Sequence, residues 1–178
     1  DIVTTNSSEG VTMSGTLGVT GVLTTNSVTK GLVSITATDA ITVAEHAGRT
    51  LVLNAADADS TAVTLTLPAA TGTGNVYHFV IGIVNAMTAG YKIQVTGNDT
   101  IDGTALFIDD DGAGNAASVK HWPTVAASDT ITLDGTTQGG AVIGDHIILT
   151  DIAADQWALK MLTNASGTVA TPFSAAVS

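Results

Sequence analysis

The sequence predicts an all-β protein, organised as a β-sandwich or barrel-like domain of short antiparallel strands. Residues 62–95 contain three short β-runs separated by Gly-bearing turns. From Val63 to Leu67, apolar residues alternate with threonine, so the two sets of side chains face opposite sides of a pleated strand. Further strand candidates recur about every 8 to 12 residues, which is the spacing of sandwiches and barrels.

The strand candidates cover most of the chain after its first thirty residues. We place them near 32–38, 40–44, 50–54, 62–67, 76–84, 91–96, 104–108, 118–122, 130–134, 142–150 and 156–162. Turn-forming Gly, Asn and Asp separate them, and an Asp in such a turn is expected to cap backbone amides. A helix fits only 44–48 or 152–157, and either would span about a turn and a half.

One segment is apolar almost throughout. The run from Val76 to Val84 lacks the alternation of a half-exposed strand. Such a run is typical of a strand covered on both faces. We expect it to lie inside a sandwich or to be covered by a neighbouring subunit.

Composition predicts a single domain with a thin aliphatic core, because 178 residues bury a real interior yet only 4% of them are aromatic. Mean hydropathy is high, at +0.37. No segment has the roughly 18 consecutive apolar residues of a membrane helix. The excess apolar surface is therefore expected to meet other protein.

The charge balance argues against anionic partners. Sixteen acidic residues against five basic ones give a formal net charge of −11, and the basic residues are scattered singly. Nucleic acids bind clustered Lys and Arg, so we expect no nucleic-acid partner and no membrane partner. The absence of cysteine excludes a disulfide scaffold and thiolate metal sites.

The N-terminal thirty residues differ from the rest. Glycine recurs between short apolar and threonine pairs, so no stretch of 1–30 can form its own core. We interpret 1–30 as an extended Gly/Thr-rich arm for attachment or intertwining, and 31–178 as the β-domain. A flexible leader is the alternative. Because the chain begins with Asp1, we also expect a processed N-terminus or numbering from a mature form.

The clearest candidate for metal binding is the acidic cluster Asp109-Asp110-Asp111, which precedes a Gly-rich stretch. Closely spaced carboxylates can bind a hard cation. The cluster lacks the spacing of an EF-hand loop, so we expect a solvated loop and predict no metal site.

The histidines and tryptophans give no strong pattern. His46, His78, His121 and His146 are spread singly, which predicts no zinc site within one chain, although a trimer axis would bring three copies of one histidine together. Two Trp residues could form a sugar platform. In a chain so poor in aromatics, core or interface anchors are the more typical role.

Catalytic patterns are missing as well. The chain has no cysteine and no G-x-S-x-G elbow. Convergence of two carboxylates in space stays open for the aspartates Asp99, Asp102, Asp129, Asp134, Asp145, Asp151 and Asp155. We predict no enzyme activity, no catalytic residue and no cofactor.

Three segments resemble a module of tailed-bacteriophage virion proteins: LTLPAATGTGNVYHFVIG (65–82), DTITLDGTTQGGAVIGDHIILTDIAADQWAL (129–159) and GTVATPFSAAV (167–177). The resemblance spans about 32–178. It implies a capsid decoration, head-fibre or spike protein on the virion surface, typically a homotrimer. Its partners would be copies of itself and the major capsid protein or another virion protein. The start of the chain resembles phage fibre leaders.

Three other functions remain open. A receptor-binding module at a tail-fibre tip would expose Trp122 or Trp157, or an acidic groove. A polysaccharide-cleaving spike needs two carboxylates roughly 5 to 10 Å apart in a cleft. A filament or surface-layer subunit would pack head to tail.

Overall fold

The computed structural model describes residue 14 and residues 31–55, 61–82, 89–109 and 118–177. These residues form twelve strands and one short helix, α1 (Val43–His46). The strands are Leu32–Ile35 (β1), Asp39–Ala40 (β2), Thr50–Leu53 (β3), Val63–Thr66 (β4), Val76–Ile81 (β5), Tyr91–Gln94 (β6), Thr100–Asp109 (β7), Ser118–Pro123 (β8), Thr130–Leu133 (β9), His146–Ala153 (β10), Gln156–Ala165 (β11) and Phe173–Ser174 (β12).

The strands form two sheets that pack together as a sandwich, which confirms the predicted all-β class. The large sheet has the order β1-β3-β5-β10-β11-β7-β8, and the small sheet has the order β12-β9-β6-β4-β2. None of the helices in the described ranges is long and apolar enough to cross a bilayer.

Both sheets are mixed: the predicted antiparallel pairing is present in part of each sheet, and the other strand pairs are parallel. The first six strands alternate between the sheets, and each return to a sheet adds a strand parallel to the last one. Antiparallel hairpins connect only later strands, such as β7 with β8 and β10 with β11. The reason is that the early connections cross the sandwich, whereas a tight hairpin would return the chain within one sheet.

The core fills the space between the sheets. On the large sheet, Leu51, Phe79 and Ile147 occupy one inward-facing cross-strand row and are fully buried. On the small sheet, Leu65 and Ile93 do the same. The aliphatic core predicted from composition is supplemented by five fully buried aromatics, Tyr77, Phe79, Tyr91, Phe107 and Trp157.

The predicted strand at 40–44 is wrong beyond Ala40, because the chain turns into α1 there. The Thr42 side chain caps this helix by accepting a hydrogen bond from the Glu45 amide at 3.3 Å. The Thr42 amide in turn donates to His46 Nδ1 at 2.9 Å. These local bonds hold a single helical turn, one residue earlier than the helix candidate at 44–48.

Other boundaries also differ. β10 begins at His146, since residues 142–145 form a turn in which the Val142 amide donates to the Asp145 carboxylate at 3.3 Å. The helix candidate at 152–157 is instead the β10–β11 hairpin, where Asp155 has a φ of 62°. β7 starts at Thr100, four residues before the predicted strand 104–108, and the two-residue β12 is missing from the prediction.

The predicted arm, residues 1–30, lies outside the described residues apart from Ser14, as do residues 110–117 with Asp110 and Asp111. The division at residue 30 therefore stays a prediction.

Candidate functional site

Four aspartates that the sequence left open as a carboxylate pair are buried at the ends of strands or in the adjoining loops. The exposed fractions are 4% for Asp99, 7% for Asp129, 4% for Asp145 and 3% for Asp151. A buried carboxylate is costly unless hydrogen bonds or opposite charges compensate it. The donors around each one therefore indicate its role.

Asp151, near the end of β10, binds the loop between β4 and β5. Its Oδ1 accepts hydrogen bonds from the amides of Thr71 at 3.0 Å and Gly72 at 2.6 Å. Its Oδ2 accepts from the Thr73 amide at 3.0 Å and the Thr73 hydroxyl at 2.6 Å. Burial alone would raise the pKa of Asp151, but these hydrogen bonds outweigh it and lower the pKa below its usual value. Asp151 is thus an ionised anchor for the loop.

Asp145 performs the same task at the start of β10. Its Oδ2 accepts from the Thr163 hydroxyl at 2.9 Å and from the Asn164 amide at 2.9 Å, both on β11. Its Oδ1 accepts from the Asn164 side chain at 2.6 Å. The carboxylate ties the turn before β10 to the neighbouring strand.

Asp99 and Asp129 line a common cleft of about 320 Å³ beside the small sheet. Asp99 Oδ2 accepts from the Ala70 amide at 2.7 Å and from Trp157 Nε1 at 3.2 Å. Asp129 accepts from the amides of Ala176 at 2.7 Å and Val177 at 3.0 Å. The sharing of one cleft by two aspartates raises the question of whether they form the carboxylate pair of a glycosidase.

The protonation of Asp129 does not suit the general acid of a glycosidase. Burial would raise the pKa of Asp129, but hydrogen bonds from Ala176, Val177 and Thr130 lower it. A general acid for glycoside cleavage needs the opposite, a raised pKa that keeps its proton at working pH. Asp129 is instead suited to hold the C-terminal segment as an ionised acceptor.

Asp134 confirms the expectation that Asp in a turn caps backbone amides. Its Oδ1 accepts from the amides of Thr136 at 2.9 Å and Gln138 at 2.7 Å.

The acidic cluster is only partly described: Asp109 Oδ2 lies 2.7 Å from Lys120 Nζ, and its Oδ1 is buried without a partner among the described residues. Within the described ranges, no three His, Asp or Glu side chains gather as a metal site.

Sequence reasoning missed the proximity of two histidines. His78 on β5 and His146 on β10 lie on adjacent strands, with ring centroids 5.8 Å apart at an angle of 86°. Burial, and secondarily the charge of His146, lower the pKa of His78. No local motif could reveal this pair, because it arises from strand pairing between distant segments. His46 is the buried last residue of α1, and its Nδ1 accepts a hydrogen bond from the Thr42 amide.

Trp157 is a core residue, as expected from the sequence. It is fully buried and packs edge-on against Tyr77, with ring centroids 5.5 Å apart. Trp122 on β8 is half-buried and packs against the core. Neither tryptophan presents a fully exposed platform for a sugar.

The remaining candidate is a surface, which we call the outer face. It consists of the residues of the large sheet that point away from the core. One cross-strand row on it reads Val52, Val80, His146, Leu162, Leu106 and His121 from β3 to β8. The next row reads Leu32, Thr50, His78, Ile148, Lys160, Thr104 and Pro123 from β1 to β8.

A groove of about 460 Å³ lies on the outer face between β7 and β11. Leu106, Leu162, His146 and Lys160 contribute to its lining. Gly103 lies in its floor, and a Cβ built there would collide with the Leu159 carbonyl oxygen. The absence of a side chain is therefore what brings β7 and β11 into close contact.

Comparisons of this chain with protein-family models, with curated proteins and with solved structures found no match.

Proposed function

We propose that this chain is a non-catalytic structural protein of a tailed-phage virion surface, which assembles as a homotrimer. The observation that carries the proposal is the outer face. It is a broad, weakly charged sheet surface with an apolar central row on a strongly acidic chain, and no element of the described residues packs over it. A surface of this kind favours a subunit of an assembly over an independent monomer.

The buried aspartates support the non-catalytic part of the proposal. Asp99, Asp129, Asp145 and Asp151 accept hydrogen bonds from backbone amides or side chains of their own chain. Acceptors used in this way stabilise loops. The virion assignment itself rests on the resemblance of 65–82, 129–159 and 167–177 to phage virion modules.

In the proposed particle, residues 1–30 attach to the major capsid protein or another virion protein, and the β-domain projects outward. The net charge of −11 would keep neighbouring particles apart. A receptor-binding tail-fibre tip remains the second candidate, because the cleft between Asp99 and Asp129 is acidic. Trp157 is fully buried and so cannot serve as an aromatic platform for a receptor.

Immunogold labelling tests the location. Antibodies raised against the purified chain should decorate the heads of tailed particles in the virus-size fraction of the source sample. Labelling confined to tail tips would favour the receptor-binding function, and labelling of filaments or cell surfaces would contradict a virion role.

A further inference from the structure

The outer face combines an apolar central row with very little charge. Its central row places Val52, Val80, Leu162 and Leu106 on four strands of one sheet. Leu106 is 44% exposed and Leu162 is 39% exposed, so both present apolar surface outward. An alternating strand with one solvated face would carry polar residues at these positions.

Charge is almost absent from this surface. Among the outward-facing positions of the seven described strands, the formal charges are Lys160 and Asp102, which cancel. The chain as a whole carries −11. Two copies of so acidic a chain repel each other except where carboxylates are missing, so the outer face is a surface on which copies can approach.

The histidine pair is consistent with a weakly charged face. His78 and His146 lie in the middle of the face, flanked by Thr50 on β3 and Ile148 on β10, with Lys160 beyond on β11. No carboxylate lies in these two rows, and burial lowers the pKa of His78. Near neutral pH, His78 therefore adds little positive charge to the centre of the face.

The size of the face also suits self-association. Seven strands span about 29 Å across and roughly 23 Å along the strands, on the order of 650 Å² before the relief of the side chains is counted. Specific, stable interfaces bury about 600 to 1,000 Å² on each partner. The sheet therefore offers enough surface for a specific contact with a second copy of the same chain.

We propose that the outer face of the large sheet, centred on Leu106 and Leu162, packs against another copy of this chain. This inference rests on the proposed homotrimer and assigns its interface. It also accounts for the apolar run that begins at Val76: the inner side of β5 lies in the sandwich, and its outer side is covered by the neighbouring subunit.

The absence of cysteine allows a direct test of coverage. Leu106→Cys places one thiol in the face, and Val43→Cys places one on α1, outside both sheets, where the native side chain is similarly exposed at 51%. In the native full-length protein at pH 7.5, a maleimide should label Cys at 106 at least roughly tenfold more slowly than Cys at 43. In denaturant the two rates should be equal. Equal rates in the native protein would overturn the proposal.

A second measurement uses charge. Leu106→Asp and Leu162→Asp should each reduce the mass measured by light scattering to that of a single chain, while Val43→Asp keeps the wild-type mass. Circular dichroism checks that each variant is folded. If the wild type is a trimer and both face variants stay trimeric, the interface is wrong while the trimer stands. If the wild type is a single chain, both proposals fail.

Discussion

At Asp151, one carboxylate links the end of β10 to three consecutive residues of the loop before β5. Four short hydrogen bonds reach it from Thr71, Gly72 and Thr73. Asparagine at this position keeps one acceptor oxygen and replaces the other with an NH₂ donor that faces donors. At the scale of single residues, the stability of the sandwich ends therefore depends on ionised aspartate.

We predict that Asp151→Asn lowers the free energy of unfolding by about 1.5 to 3 kcal/mol, the usual range for hydrogen bonds to a charged group. Urea denaturation at pH 7 measures this change. Asp155→Asn is the matched control, because Asp155 is exposed in the β10–β11 turn and is not part of the outer face, and it should change stability by less than about 0.5 kcal/mol. Equal effects of the two substitutions would contradict the anchoring role.

The pH dependence of this loss has a defined sign. The folded-state pKa of Asp151 lies below its usual value. Its contribution is therefore complete above the unfolded-state pKa of about 3.9 and is lost as the pH falls through the folded-state pKa. The stability difference between wild type and Asp151→Asn should shrink below about pH 4. A difference that stays constant down to pH 2 would show that the charge is unimportant.

At the scale of elements, close approaches of backbone determine where glycine is needed. Gly90 has a φ of +69° just before β6, and a Cβ there would collide with the Leu133 carbonyl oxygen on β9. Gly97 has a φ of +62° with nothing within 4 Å of such a Cβ. The two glycines share the backbone conformation and differ in the space around them.

We predict that Gly97→Ala costs about 1 kcal/mol, from the positive φ alone, and that Gly90→Ala costs at least about 1 kcal/mol more, because β6 and β9 must separate. Thermal unfolding of both variants measures the difference. Equal melting temperatures would show that β6 and β9 can separate to accommodate the Cβ without loss of stability.

The strands also show how much of the fold can be predicted from the sequence. The alternation from Val63 to Leu67 is sufficient to place β4, because one face of that strand is buried. The start of β7 was not predicted, because the sequence Asp102-Gly103 is typical of a turn. In the structure, Gly103 instead lies within β7 and allows close packing on β11. Parallel pairing is equally hidden, because nothing in a strand's own residues tells whether the connection crosses the sandwich.

The candidate site was predictable to a similar degree. Amide capping by Asp134 follows from the local Asp-Gly sequence. The partners of Asp151 lie on a distant loop, so the anchoring of that loop needed the fold. The same holds for the outer face, where the row from Val52 to Leu106 becomes visible only through the strand register.

At the scale of the whole molecule, the Gly-rich sequence of residues 1–30 offers no core of its own, whereas residues within 31–177 build a buried core. We therefore predict that deletion of residues 1–30 leaves cooperative unfolding and the trimer intact but abolishes binding to the parent particle. Thermal unfolding and co-sedimentation with purified particles measure the two properties. A truncated chain that fails to fold, or that still co-sediments, would contradict the assignment of 1–30 as an attachment arm.

Self-association is the central claim, since the apolar outer face and the acidic remainder of the molecule both lead to it. Light scattering of the full chain at micromolar concentration and pH 7.5 tests it most directly. We predict a mass three times that of the 17.8 kDa chain. A stable species with the mass of one chain would contradict the account.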